Sequence, residues 1–467
     1  MPGHPTPRRE CIVPSHWRTM RPVPVHPFVR FGAAAVATAG ILLAGLSVPA
    51  SATESDQLWI DAPYEKSLQT GAAAGTPVEV GLYHDNDNFT VTDGRLTVDT
   101  SGLAGVAEVT WPENCAPSGT TAVCTVAQVP VIGSDYSPQV LLEVHAADGA
   151  EAGAQGRITY AATATGGPEG TLEAPLDSFG TTLTLASGPD LVLDGLDPVE
   201  GATPGTVHTA PLTVKNEGQE PARGFTLGMM ASYGLGFDSR YDACTYTQTG
   251  GEYAPMSRAE CAFDRVLLPG ETFTLPEPLR IALADHAFRE RVDVDVQPAG
   301  GVTDINDENN YRILEVDAVN TADFAVRGSR VSGAVGETVK AALTFRNKGP
   351  GWFGNLGSGD SVALVDFTVP EGVTVTRAPA ACDPRTLDGG SYRPGRLGAP
   401  RYVCEMPYWV LENTVRTFRF DLRVDTVVPD AKGQVALRPV ITGAGFPHDP
   451  KPGNNTGWVT VNPTPAA

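Results

Sequence analysis

The placement of the cysteines is the feature that most constrains the fold of this chain. Apart from Cys11, they occur as three local pairs, one in each of three successive stretches of the sequence. The pairs are Cys115 with Cys124, Cys244 with Cys261, and Cys382 with Cys404. Their spacing is too wide for the close cysteine pairs of a zinc knuckle, and an even number of cysteines in an exported chain favours disulfides. We therefore predict one local disulfide in each stretch.

The amino-terminal sequence predicts export. Arg21 and Arg30 come before an apolar run, residues 31–46, and small residues lead up to Ala52. A basic region, a short apolar core and a small-residue site describe a signal peptide, so we expect cleavage after Ala52. An uncleaved anchor is the alternative, but the run is shorter than the roughly 20 apolar residues of a spanning helix. The expected location is secreted or extracellular, with cell-wall association left open and no membrane span after cleavage.

The net charge narrows the class of partner. The chain has 33 Lys and Arg against 54 Asp and Glu, a formal net charge of −21. So acidic a surface repels nucleic acid and anionic lipid, and we expect neither as a partner. It also attracts cations and basic surfaces, although a plain solvated surface explains the composition as well.

Hydrophobic alternation predicts strands. In residues 417–424, Phe418, Phe420 and Leu422 alternate with Arg419 and Asp421. Apolar residues at every second position, with a polar opposite face, are typical of a half-buried antiparallel strand. Such segments recur between turn-rich stretches along the chain. Short strands at regular intervals indicate β-sandwiches.

An internal repeat divides the chain. Residues 212–218 and 343–349 each follow a glycine at the same interval and end in Asn-x-Gly, and residues 82–86 are a weaker copy. Late turns that end in an Asn pair, residues 304–310 and 449–455, come before the last strand of two copies. Asn favours such turns because its side chain bonds the backbone and tolerates left-handed geometry. We predict a leader, 1–52, and three domains, 53–188, 189–317 and 318–463.

The third domain carries a family resemblance. Asn347-Lys348-Gly349, Pro370-Glu371-Gly372-Val373 and Asn454-Asn455 resemble the motifs of the DUF11 conserved-repeat domains and the related CARDB adhesion-type repeats. The second domain lacks the Pro-Glu-Gly-Val segment, and the first fits least. The resemblance implies an all-β chain of three tandem immunoglobulin-like β-sandwich domains, as in exported and cell-surface bacterial proteins. It brings no catalytic residues.

The sequence holds no recognisable catalytic motif. It has neither a Gly-x-Ser-x-Gly elbow nor a His-Glu-x-x-His helix, and the histidines of the predicted domains are scattered. We therefore expect no enzyme. The expected function is a non-enzymatic spacer or adhesive module, with a glycan- or cell-wall-binding module as the alternative and a hydrolase of unrecognised type as the third.

Two acidic clusters are candidates for calcium. Asp85, Asp87 and Asp93 form one, and Asp304 and Asp307 belong to the other. Calcium prefers oxygen ligands from loops of this composition, but neither cluster has the glycine and the terminal glutamate of an EF-hand loop. Turn formation is the alternative for both. No other cofactor is expected.

A tryptophan suggests a contact surface. Trp352 lies inside a glycine-rich turn, where we predict exposure, whereas the other tryptophans of the predicted domains lie in strand-like segments and are expected in cores. An exposed Trp352 would be a candidate glycan contact. The expected partner is thus an unknown protein or a cell-wall glycan.

Overall fold

The computed structural model describes residues 55–72, 75–133, 137–250, 254–440 and 445–464. The predicted signal peptide and its cleavage site lie outside the described residues. Within those ranges the chain is built of strands, with one short 3₁₀ turn at Pro452–Asn454. No helix of the described part is long and apolar enough to cross a membrane.

The first sandwich contains ten strands. They are β1 (Leu58–Asp61), β2 (Glu65–Gln69), β3 (Thr76–His84), β4 (Val91–Gly102), β5 (Ala107–Thr110), β6 (Cys115–Ser118), β7 (Thr121–Val129), β8 (Val140–Ala146), β9 (Gln155–Thr165) and β10 (Thr171–Ala186). A sheet β1-β3-β8-β5 faces a six-stranded sheet β2-β10-β9-β4-β7-β6.

The second sandwich contains the next twelve strands. They are β11 (Leu191–Asp194), β12 (Val199–Ala202), β13 (Val207–Ala210), β14 (Thr213–Asn216), β15 (Ala222–Ala231), β16 (Leu235–Phe237), β17 (Cys244–Thr249), β18 (Met256–Leu267), β19 (Thr272–Thr274), β20 (Leu279–Leu283), β21 (Arg289–Pro298) and β22 (Tyr311–Ala318). Its sheets are β12-β22-β21-β15-β18-β17, β11-β14-β19 and β13-β20-β16.

The third sandwich contains the remaining twelve. They are β23 (Phe324–Arg327), β24 (Arg330–Val331), β25 (Thr338–Asn347), β26 (Phe353–Gly354), β27 (Leu364–Thr368), β28 (Val373–Arg377), β29 (Cys382–Arg385), β30 (Arg401–Glu405), β31 (Trp409–Val410), β32 (Val415–Val424), β33 (Ala431–Arg438) and β34 (Thr456–Val461). Its sheets are β24-β34-β33-β27-β30-β29, β23-β25-β32-β28 and the pair β26-β31.

The three six-stranded sheets repeat one strand order. In each, a short early strand pairs in parallel with the last strand of its sandwich: β2 with β10, β12 with β22, and β24 with β34. The next neighbour of that last strand is the penultimate one, and it runs antiparallel. This arrangement confirms the predicted all-β class and the immunoglobulin-like sandwiches.

Each sandwich buries its own hydrophobic core. The alternation predicted for residues 417–424 holds in β32, where Phe418, Phe420, Leu422 and Val424 are buried. The three core clusters lie within residues 58–185, 191–318 and 322–461. The domain boundaries at 188/189 and 317/318 stay a prediction.

The three predicted disulfides are present. Cys115 bonds Cys124, Cys244 bonds Cys261, and Cys382 bonds Cys404, with Cα–Cα distances of 3.8–3.9 Å. In each case the two cysteines are directly opposed on neighbouring antiparallel strands, β6 with β7, β17 with β18, and β29 with β30. Each bond therefore ties the outermost strand of a six-stranded sheet to its neighbour.

The repeated Asn residues order equivalent turns. Asn216 Oδ1 accepts the Asp190 and Gly218 N–H groups, and Asn347 Oδ1 accepts the Gly349 N–H group. His84 stands at the same register position in the first sandwich, opposite Leu58. Asn is favoured in such turns because its side-chain oxygen accepts a hydrogen bond from the backbone N–H group two residues further along the chain.

Candidate functional site

The best-formed candidate site lies where the third sandwich docks on the second. Trp352 of the third sandwich is 1% exposed, and its indole Nε1–H donates to the Glu290 carboxylate on β21. The Trp352 backbone N–H donates to the His286 carbonyl at 3.1 Å, and the Tyr233 ring packs edge-on at 5.5 Å. The two sandwiches are thus joined by a buried aromatic side chain and a buried acid.

Glu290 collects donors from both sandwiches. Besides the Trp352 indole, its carboxylate accepts the Ser232 hydroxyl at 2.5 Å, the Phe288 N–H at 2.9 Å and the Gly234 N–H at 3.1 Å. Burial raises the pKa of Glu290, and the hydrogen bonds oppose that rise. A buried carboxyl with this many donors is costly to leave partly unpaired.

Further polar contacts surround this junction. Tyr233 Oη donates to Glu412 Oε1 at 3.3 Å, and Arg291 Nη1 donates to the Leu356 carbonyl at 3.0 Å. Asn320, in the short connection between the sandwiches, donates Nδ2 to the Ala287 carbonyl at 2.8 Å. The connection is therefore held on the second sandwich by its own side chain.

A cleft of about 580 Å³ opens beside the junction. This volume lies in the range of small-molecule sites, roughly 300–1,000 Å³. One wall comes from β21 and β22 of the second sandwich, and the other from residues 353–362 and from residues 439–440 and 445–448 of the third. We call this space the interdomain cleft.

His448 lies in an aromatic cluster that lines the interdomain cleft. Its ring stacks on Phe353 at 4.2 Å between centroids and meets Phe324, Phe446 and Phe288 edge-on at 5.0–6.1 Å. The side chain is 8% exposed, and its buried Nε2 has no hydrogen-bond partner among the described residues. Burial first, and Arg289 second, lower the pKa of His448 to about 4, so the imidazole is neutral at pH 7.

Replacement of His448 by Phe is expected to reduce acid sensitivity. The pKa of His448 is about 4 in the folded protein, against an ordinary histidine value of 6.5. Between those values the unfolded chain binds more protons, so this residue makes stability fall as pH falls from 6.5 to 4. The melting temperature should therefore drop less between about pH 7 and about pH 4.5 in His448→Phe than in the parent protein.

His208→Phe is the matched control, because His208 lies half-buried on β13. Asp304, whose pKa is raised to about 6 by burial, works in the opposite direction, but it is common to all the proteins compared. Equal acid sensitivity of the parent and His448→Phe would contradict the assignment.

The predicted exposure of Trp352 is wrong. The turn that carries it packs against the second sandwich, so the indole cannot reach a glycan in this structure. Two tryptophans that the sequence pattern assigned to cores are exposed: Trp59 is 39% exposed and Trp458 is 48% exposed. Both lie on strands, β1 and β34, with their side chains on the solvent face.

Two of the calcium candidates accept hydrogen bonds from backbone N–H groups. Asp85 accepts the Gln57 N–H group, and buried Asp304 accepts the Leu191 and Asn306 N–H groups. Asp87, Asp93 and Asp307 are exposed. Among the described residues, no group of three or more His, Cys, Asp or Glu side chains is placed to hold a metal ion.

The sequence analysis did not identify a buried acid–histidine pair in the first sandwich. His84 Nδ1 lies 3.0 Å from Asp56 Oδ2, and both side chains are almost fully buried, at 2% and 0% exposure. Asp56 Oδ1 also accepts the Asp85 and Asn86 N–H groups, which is the turn-ordering role that Asn fills in the other sandwiches. The burial closes the pair to any substrate.

Neither the family models nor the curated proteins compared with the chain match it. Among solved structures, the chain is similar to the CARDB domain of a Pyrococcus furiosus protein, with 16% identity, 28% of this chain and 89% of that chain covered, and a TM-score of 0.19. It is similar to a putative membrane-anchored protein from Corynebacterium diphtheriae, with 10% identity, coverage of 88% and 96%, and a TM-score of 0.18. It is also similar to the partial N-terminal region of an enterococcal surface protein, with 8% identity, coverage of 58% and 93%, and a TM-score of 0.18.

The CARDB domain that the sequence motifs resemble is thus among these structures. Likenesses at such identities and TM-scores support no inference about activity or partners. The immunoglobulin-like fold therefore rests on the repeated sheet order described above.

Proposed function

We propose that this chain is a non-enzymatic exported interaction protein, in which the second and third sandwiches form one stiff spacer. The observation that supports this most directly is the buried hydrogen bond from Trp352 to Glu290. A side chain of one sandwich completes the hydrogen bonding of a buried acid in the other, so independent movement would leave that acid short of a donor.

The disulfides agree with an exported protein. Such bonds persist in oxidising environments and are rare in the cytosol. The loops at the ends of the sandwiches and the walls of the interdomain cleft are candidate surfaces for a partner, since loops on a rigid scaffold commonly carry binding residues.

Small-angle X-ray scattering of the exported chain tests the spacer. The parent protein is expected to scatter as the described arrangement of the second and third sandwiches, and Trp352→Ala should show a broader distribution of distances between them. A parent protein that already scatters as freely moving sandwiches would overturn the proposal.

The second candidate is a glycan- or wall-binding module, and the exposure of Trp59 and Trp458 favours it. Exposed aromatic rings present an apolar face with a polar handle, which suits a sugar surface. If this candidate holds, Trp59→Ala or Trp458→Ala should reduce retention of the protein on isolated cell walls several-fold. Tyr64→Ala, which removes another exposed ring (77%), is the control, and unchanged retention of both Trp variants would end the idea.

A further inference from the structure

Several charged side chains that line the interdomain cleft take no part in the hydrogen bonds and ion pairs that hold the two sandwiches together. The charged residues that line it are Arg289, Glu290, Arg291, Glu315, Asp317 and Asp360. Two of them are already engaged. Glu290 is buried at the junction with Trp352, and Arg291 gives Nε and Nη2 to Asp293 at 2.8 and 2.6 Å and Nη1 to the Leu356 carbonyl.

The remaining charges are mostly negative. Arg289 stands opposite Asp317 across the β21–β22 pair, so one acid has a cation beside it. Glu315 stands opposite Arg291, whose guanidinium is already held by Asp293. Asp360 accepts only a neutral hydroxyl, Ser358 Oγ at 2.7 Å, among its contacts within the described residues. Glu315 and Asp360 are both exposed and lack a matching cation in the part of the chain that the structure describes.

The apolar side of the cleft is aromatic. Phe353 and Phe446 are half-buried and line the space together with His448. A cation is attracted to the face of an aromatic ring, and a neutral imidazole does not repel it. The buried His448 Nε2, unpartnered within the described ranges, is a further polar atom in this wall that the fold itself leaves unused.

We propose that the interdomain cleft binds an amino-group cation, a primary ammonium or a guanidinium, between the carboxylates of Glu315 and Asp360 and the ring cluster of Phe353, Phe446 and His448. Two sources share this chemistry: a free polyamine, and a Lys or Arg side chain of a partner protein. The cleft exists only while the two sandwiches stay docked, so this inference rests on the proposed function.

Isothermal titration calorimetry at low ionic strength tests the site. The probes are spermidine and a short blocked peptide with two adjacent lysines. We expect saturable binding at one site, about tenfold weaker in Glu315→Gln/Asp360→Asn, as the loss of two partly exposed ion pairs implies. The control Asp148→Asn/Glu151→Gln removes the same charge from exposed positions of the first sandwich, which contributes no residue to the lining of the cleft, and should bind within about twofold of the parent.

A third variant distinguishes a cation site from an anion site by the direction in which its binding affinity changes. Arg289→Ala removes a cation that lines the cleft and should tighten the binding of either probe. Saturation by spermidine alone identifies a free amine as the ligand, and saturation by the peptide alone identifies a basic segment of a partner. Absence of saturation with both probes, weaker binding in Arg289→Ala, or equal losses in the cleft and control double variants would each overturn the proposal. Scattering that shows docked sandwiches alongside failed binding would remove the site but leave the spacer intact.

Discussion

Trp352→Ala is expected to lower the free energy of unfolding by about 3–5 kcal/mol, the range for deletion of a large buried aromatic side chain. Trp352 is 1% exposed and fills the space between the Tyr233 ring and Glu290. Its loss opens a cavity and removes a donor from a buried carboxyl, and the two costs act in the same direction. Denaturant unfolding followed by far-UV circular dichroism measures the change.

Trp458→Ala is the matched control, because it deletes the same side chain from β34, where 48% of it is exposed. The free energy of unfolding of that variant should fall by less than about 1 kcal/mol, as it does for surface substitutions. Trp352→Phe separates packing from hydrogen bonding, since it keeps a ring but removes the Nε1 donor. Its loss of free energy of unfolding should lie between those of Trp352→Ala and Trp458→Ala. Equal losses in Trp352→Ala and Trp458→Ala would contradict the described junction.

Removal of the Cys382–Cys404 bond is expected to have the next largest effect. The bond closes a loop with a sequence separation of 22 residues, and both cysteines are 0% exposed. Loop-closure entropy assigns about 3 kcal/mol to a loop of this size, although calorimetry also finds an enthalpic share in such bonds. Cys382→Ala/Cys404→Ala should therefore unfold at lower denaturant concentration than the parent protein, under non-reducing conditions.

The Cys115–Cys124 bond supplies the comparison within the same molecule. It also joins an outermost strand to its neighbour, but its sequence separation is 9 residues. Loop-closure entropy predicts that Cys115→Ala/Cys124→Ala loses about 0.8 kcal/mol less free energy of unfolding than Cys382→Ala/Cys404→Ala. A larger loss in this variant than in Cys382→Ala/Cys404→Ala would show that chain entropy does not set the contribution of these bonds.

The features that the sequence predicted correctly are local ones. Alternation in residues 417–424 identifies the buried face of β32, because neighbouring side chains of a strand point to opposite faces. Asn216 and Asn347 were identified as turn formers, and their side chains do bond the backbone of their own turns. The cysteine pairs lie close in sequence, so their partners could be chosen without knowledge of the tertiary structure.

The features that it missed depend on contacts between distant segments. A glycine-rich turn is usually exposed, but Trp352 in this turn contacts Tyr233, His286 and Glu290 of another sandwich, which no local pattern reveals. Trp59 and Trp458 looked like core residues because strands bury one face, yet both lie on the outer face. The sequence likewise did not reveal that the Asp304 carboxylate accepts the N–H group of Leu191, which is distant along the chain.

The parallel pairing of an early strand with the last strand has a mechanical consequence. A pull that separates the two ends of a sandwich draws β24 towards its amino-terminal side and β34 towards its carboxyl-terminal side, since the two strands run in the same direction. The same holds for β2 with β10 and for β12 with β22. The load is then applied along the strands, so the hydrogen bonds between them are sheared together and do not open one after another. Under tension each sandwich would resist extension at the pair formed by its second strand and its last strand.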